Sequence, residues 1–118
     1  RVFGGVRREV DGALLKEEEQ RIEPVIIDVA NAESVAKAAA LIRGLLGDDR
    51  GLQGLVNNAG VAMVAPLELI PEAEFAFVMD VNVLGPLRVT QCFLPLLKKA
   101  PRARIVNVGS QAGTLAYP

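Results

Sequence analysis

Three consecutive β-branched residues, Val25, Ile26 and Ile27, sit inside an apolar stretch from Ile22 to Val29 that ends in Asp28 and Val29. A strand with one solvated face alternates polar and apolar positions. A near-continuous apolar run instead fits a parallel strand covered by helices on both faces. Parallel neighbours cannot be joined by a tight turn, so the chain around such a strand has to alternate strand with crossover helix.

The rest of the chain has that alternation. Val2 to Val6 reads as a first strand, and the charged stretch after it, with Leu14 and Leu15, as a partly buried helix. After the strand Ile22 to Val29, Asn31 is placed to cap a helix in which Val35, Ala38, Ala39, Ile42, Leu45 and Leu46 follow the 3.6-residue period, with Gly47 as its stop. Leu52 to Asn57 reads as a third strand. Pro71 opens a long helix whose Phe75, Val78, Asn82, Gly85, Val89, Phe93 and Leu96 form one inner stripe, with a bend expected where Pro86 removes a backbone donor. Arg104 to Val108 is a fourth strand, followed by a loop to Pro118. The order implies an α/β fold with a doubly wound parallel sheet, in one domain over residues 1–118 without repeats or linkers.

Composition removes several function classes. Thirteen basic and fourteen acidic residues give a formal charge of −1, so no charge excess calls for nucleic acid or an anionic membrane. The clusters Lys98 to Arg104 and Glu17 to Glu19 read as solvated faces. The chain has no histidine, which excludes a Ser-His-Asp triad or a His-ligated metal site built from its own residues, and no metal is expected. The single cysteine, Cys92, lies in an apolar stretch and implies a reducing, cytoplasmic setting. No apolar run is long enough to span a bilayer, and the start at Arg1 suggests an excised piece.

In doubly wound sheets ligands bind outside the carboxyl ends of the strands. Here those ends carry Arg7, Asp28, Asn58 and Ser110. Asn57 and Asn58 followed by Ala59 and Gly60 offer two amides and then two small residues, which suits close approach of a flat ligand or, equally, an ordinary Asn-rich turn. Asn82 on an inner helix stripe must find hydrogen-bond partners, whether as a structural bonder or as part of a site. Ser110 places a hydroxyl at the sheet edge that can hold a substrate oxygen or serve the turn.

Three motifs occur in order: Asn57-Asn58-Ala59-Gly60 after a strand, Asp80-Val81-Asn82-Val83 in the next helix, and Arg104-Ile105-Val106-Asn107-Val108-Gly109-Ser110. Together they resemble the short-chain dehydrogenase/reductase family, over essentially the whole chain. The resemblance implies a Rossmann-like sheet, covered here from its second strand to just past its fifth. It implies that Asp28 and Val29 line an adenine pocket, that Asn58, Ala59 and Gly60 pack against the cofactor, that Asn82 holds a water in a proton relay, and that Ser110 positions the carbonyl or alcohol of the substrate. The implied reaction is hydride transfer between NAD(P)(H) and a small-molecule carbonyl or secondary alcohol.

The same resemblance marks what is missing. The family's first strand and glycine-rich turn would precede Arg1, and its tyrosine-lysine pair would lie on a helix beyond Pro118. Tyr117 stands seven residues past Ser110, too close for the catalytic position. The segment alone is therefore expected to be inactive. A catalytically inactive nucleotide-binding or interaction module is the alternative. With the central first strand absent, either a gap opens in the sheet or the strands that flank it pair directly. Arg7, at the end of the family's second strand, favours NADP over NAD by offering charge-assisted bonds to a 2′-phosphate. Leu84, Leu87, Cys92 and Leu94 lie off the inner stripe and point to a homo-oligomer in the complete protein, and the apolar loop Val61 to Leu69 points to a hydrophobic substrate.

Overall fold

The computed structural model describes residues 1–113; Tyr117 lies outside the described residues. Four strands, β1 (Val2–Val6), β2 (Ile22–Ile26), β3 (Gly54–Asn57) and β4 (Arg104–Asn107), alternate with α1 (Glu9–Glu18), α2 (Ala32–Leu46) and a long helical segment. That segment comprises α3 (Glu72–Met79), a π-helical turn (Asp80–Leu84) and α4 (Gly85–Leu97). Short 3₁₀ turns occupy Leu67–Leu69 and Gln111–Gly113.

Both strand pairs are parallel, as the apolar runs require. β1 pairs with β2 from Val2 opposite Ile22 to Val6 opposite Ile26, and β3 pairs with β4 from Gly54 opposite Arg104 to Asn57 opposite Asn107. The two pairs form separate two-stranded sheets. Of the two outcomes expected without a central strand, the gap is the one observed. A cleft of about 900 Å³ lies between the sheets, with Gly5, Val25 and Ile27 on one side and Gly54, Leu55 and Val56 on the other.

One core nevertheless runs through the molecule. Val35, Ala38, Ala39 and Ile42 of α2 are buried with Val89, Phe93 and Leu96 of α4 and with Val25 of β2, and Phe3, Leu52, Leu55 and Cys92 pack against them. Helix α2 begins as expected, the Asn31 side chain accepting a hydrogen bond from the Ser34 N–H, and stops at Gly47. In α1 only Gly12 is buried, against Pro24, while Leu15 is half-buried and Leu14 exposed. The radius of gyration is 16.1 Å, above the roughly 13.5 Å of a compact domain of this length.

Several expectations are corrected. The second strand ends at Ile26 rather than Val29, because the Asp28 N–H donates to the Ser34 hydroxyl (2.9 Å) and the Asp28 carboxylate accepts from the Ala30 N–H (3.0 Å), which turns the chain out of the sheet. The third strand starts at Gly54, after the Leu52 N–H has bonded the Leu96 carbonyl, and the fourth stops at Asn107. The long helix is interrupted, as expected, next to Pro86, and the interruption takes the form of a π turn just before it, in a continuous helical run from which the missing Pro86 N–H removes one hydrogen bond. The extra residue of a π turn shifts the helix phase, so Val81 takes the buried place and Asn82 faces outward, and Phe75 is exposed as well. Cys92 and Leu94 are half-buried, whereas Leu84 and Leu87 are exposed as expected.

Two glycines should respond to the same substitution in opposite directions. A Cβ on Gly51 would meet the Leu96 carbonyl oxygen at 2.6 Å and the Ala100 nitrogen at 2.8 Å, whereas one on Gly44 would meet nothing within 4 Å. Gly51→Ala should destabilise by about 1–3 kcal/mol through backbone displacement. Gly44→Ala, on the exposed face of α2, should stabilise by about 0.5–1 kcal/mol. Urea unfolding of both variants of the complete protein checks the pair, and equal midpoints would refute it.

Candidate functional site

Arg7 leaves β1, Asp28 and Val29 follow β2, and Asn58, Ala59 and Gly60 follow β3, and all six line the cleft between the sheets. A second hollow of about 540 Å³, between β2 and the outer side of α2, collects none of them. Ser110, after β4, and Asn82, in the π turn, do not line the cleft.

Two neighbouring arginines meet different fates at the end of β1. Arg8 caps the start of α1 and bonds both carboxylate oxygens of Asp11, at 2.8 and 2.6 Å, and those bonds hold the Asp11 carboxyl below its ordinary pKa. Arg7 is exposed and makes no hydrogen bond or ion pair among the described residues. The cleft therefore has an uncommitted guanidinium at its β1 rim.

At the β3 rim the two amides divide their work. Asn57 is buried, and its Nδ2 donates to Asn107 Oδ1 (2.8 Å) and Thr90 Oγ1 (3.2 Å), tying β3 to β4 and to α4. Asn57 is thus structural. Asn58 is exposed and makes no side-chain hydrogen bond among the described residues. Beyond it, Asn82 holds the start of the apolar loop: its Oδ1 accepts from the Val61 N–H (2.9 Å) and its Nδ2 donates to the Val61 carbonyl (2.8 Å). Each atom keeps further capacity, one lone pair on Oδ1 and one hydrogen on Nδ2.

Ser110 is exposed. Its Oγ accepts from the Ala112 N–H (3.1 Å), and its carbonyl accepts from the Gly113 N–H, so it caps the 3₁₀ turn while its own O–H stays available to donate. The hydroxyl can serve a turn and a ligand at once.

Sequence reasoning missed one group. The half-buried Arg88 of α4 pairs with Asp80 of the π turn and donates to the Val29 carbonyl (2.7 Å). Asp80 and Arg88 are opposite charges eight residues apart on one helical segment, about two turns, and that spacing was the available signal. No group of residues able to hold a metal ion occurs among the described residues.

Solved structures share this fold. An NADPH-bound carbonyl reductase from chicken fatty liver superposes with a TM-score of 0.85 at 30% identity, over 95% of this chain and 49% of that one. A gluconate 5-dehydrogenase from Burkholderia cenocepacia, solved with NADP and tartrate, gives 0.81 at 25% identity over 98% of this chain and 46% of that one. Among curated proteins, human retinol dehydrogenase 16 is 45% identical over 97 residues, covering 81% of this chain and 30% of the relative. Mouse mitochondrial D-beta-hydroxybutyrate dehydrogenase is 39% identical over 99 residues, covering 83% of this chain and 29% of the relative. The chain thus spans about three-tenths of the length of these curated relatives and about half of the solved chains. The family described as short chain dehydrogenase matches residues 7–118, which takes in every strand end around the cleft, and the chain belongs to that family.

Proposed function

We propose that this chain is the cofactor-binding part of an oxidoreductase that transfers hydride between a nicotinamide dinucleotide and the carbonyl or secondary alcohol of a small molecule. The observation that carries the reading is the family match over residues 7–118, within which Arg7, Asp28, Val29, Asn58, Ala59 and Gly60 all follow the carboxyl ends of strands. The residues fit a dinucleotide: an exposed cation follows β1, and the small residues Ala59 and Gly60 follow β3. When bound, that group supplies the hydride. The inactive-module alternative has less support, since the curated relatives named above are dehydrogenases.

In this reading Asp28 and Val29 receive the adenine, and Ala59 and Gly60 let the cofactor lie against the β3 backbone. Arg7 binds a 2′-phosphate, which makes NADP the preferred cofactor; its making no hydrogen bond or ion pair among the described residues supports this, as do the solved relatives that hold NADPH and NADP. Ser110 donates its O–H to the reacting oxygen. Asn82 keeps the Val61 loop in place and uses its remaining hydrogen-bonding capacity to hold a water in the proton path.

The substrate is apolar in this reading. Val64, Leu67 and Leu69 in the loop after β3 are largely exposed, and retinol, for which the human relative is named, is an apolar alcohol. The complete protein assembles as a homo-oligomer through the face that carries Phe75, Leu84 and Leu87, all about half exposed.

In the complete protein, Arg7→Asp should reverse the ratio of kcat/KM for NADPH over NADH, because a carboxylate repels the 2′-phosphate and accepts from ribose hydroxyls. An unchanged ratio would remove Arg7 from the cofactor site. Ser110→Ala should lower kcat by about 10²–10³-fold with cofactor affinity unchanged, the loss expected for one donor to a developing oxyanion. Equal loss of cofactor affinity would show that Ser110 supports the fold instead. Sedimentation at micromolar concentration should give more than one chain per particle, and a monomer would contradict the assembly.

A further inference from the structure

The Asp28–Val29 turn is held to α4 from two sides. On one, the Arg88 guanidinium donates through Nη1 to the Val29 carbonyl (2.7 Å), while its Nη2 is engaged by Asp80, at the start of the π turn. On the other, Gly85 allows the Val29 side chain to lie against the helix, since a Cβ there would stand 2.9 Å from Val29 Cγ2 and 3.1 Å from Val29 Cβ. The carbonyl and the side chain of one residue are therefore both fixed by α4, the helix whose Pro86, Val89 and Phe93 line the cleft. Arg88 and Asp80 are only about a quarter to a third exposed, so the pair is shielded from much of the screening that weakens surface ion pairs.

We propose that Arg88 is a positioning residue for the adenine end of the cofactor: anchored by Asp80 and helped by the bare Gly85, it sets where Val29 and Asp28 stand at the cleft rim. The inference rests on the cofactor reading above. Arg88 does not line the cleft, so it acts through the turn and not by touching the ligand. A planar guanidinium can bond a carboxylate and a carbonyl at once in fixed directions, and an ammonium on a flexible stem holds such a pair less well.

A positioning role at the adenine end separates two substrates that share the nicotinamide: NADPH, and reduced nicotinamide mononucleotide, which has no adenosine. In the complete protein, Arg88→Met should lower kcat/KM for NADPH by about tenfold, the loss expected when one charge-assisted bond that orders a binding loop is removed. The effect should fall mainly on KM, and kcat/KM for the mononucleotide should stay unchanged. Arg88→Lys should recover part of the loss. Gly85→Ala, which pushes Val29 from the opposite side with Arg88 intact, should show the same selective loss, and it provides the test if Arg88→Met does not fold. Equal losses on both substrates, or no loss on either, in a wild-type enzyme that uses NADPH would overturn the positioning role alone. A wild-type protein that neither binds nor uses NAD(P)H would overturn the cofactor reading as well.

Discussion

The contact between α2 and α4 makes one body of this chain. Among the described residues no backbone hydrogen bond joins the β1–β2 sheet to the β3–β4 sheet, so their spacing is set by the helices packed behind them. Ala38 and Ala39 present small surfaces that let α4 approach, and Val35, Ile42, Val89, Phe93 and Leu96 fill the rest, each nearly inaccessible to water. Burial of five such side chains is worth about 1.5–3 kcal/mol apiece, enough to hold two weakly coupled sheets at a fixed distance. Among the described residues no strand lies between the two pairs, and the cleft is the gap that remains. Its floor is the apolar face of that helix pair, and its rims are the strand ends that the pair carries.

How much was legible in the sequence follows from which forces are local. The limits of β1, the Asn31 cap and Gly47 stop of α2, and the parallel order all depend on apolar periodicity and on residue-specific backbone preferences, which the chain displays directly. The end of β2 was not legible, because the apolar run continues through Ile27 and Val29 while the strand stops where the Ser34 hydroxyl takes the Asp28 N–H. A side chain six residues away competes with the ladder for one donor, and periodicity carries no record of it. The π turn was missed for a related reason: Pro86 announces an irregularity in the helix, but the hydrogen bonds adapt one turn earlier, and the phase shift exchanges Val81 for Asn82 on the inner face.

The candidate site divides similarly. The residue types at the strand ends were readable because the strand order could be read, and Arg7, Asp28, Val29, Asn58, Ala59 and Gly60 do follow strands in the structure. The distinction between adjacent identical residues was not. Arg7 and Arg8 are chemically equal until Asp11, one helical turn on, engages Arg8 and leaves Arg7 facing the cleft. Asn57 and Asn58 separate in the same way, the first drawn into the sheet by Asn107 opposite it in register and the second left exposed.

The polar bonds that fix the rims share a direction. Asn82 reaches the N–H and carbonyl of Val61 after β3, and Arg88 reaches the carbonyl of Val29 after β2. Both side chains come from the single run of helix between Asp80 and Leu97, so one element touches the turn on each side of the gap between the sheets. Both end on backbone atoms, which every residue type presents alike. The position of the rims is thus specified by the helix and their chemistry by the loop side chains, and a substitution in either loop can change that chemistry without moving where it stands. Gly85 is the exception that shows the arrangement at work, since there the helix contacts the Val29 side chain itself, and the fit depends on what both residues lack in bulk.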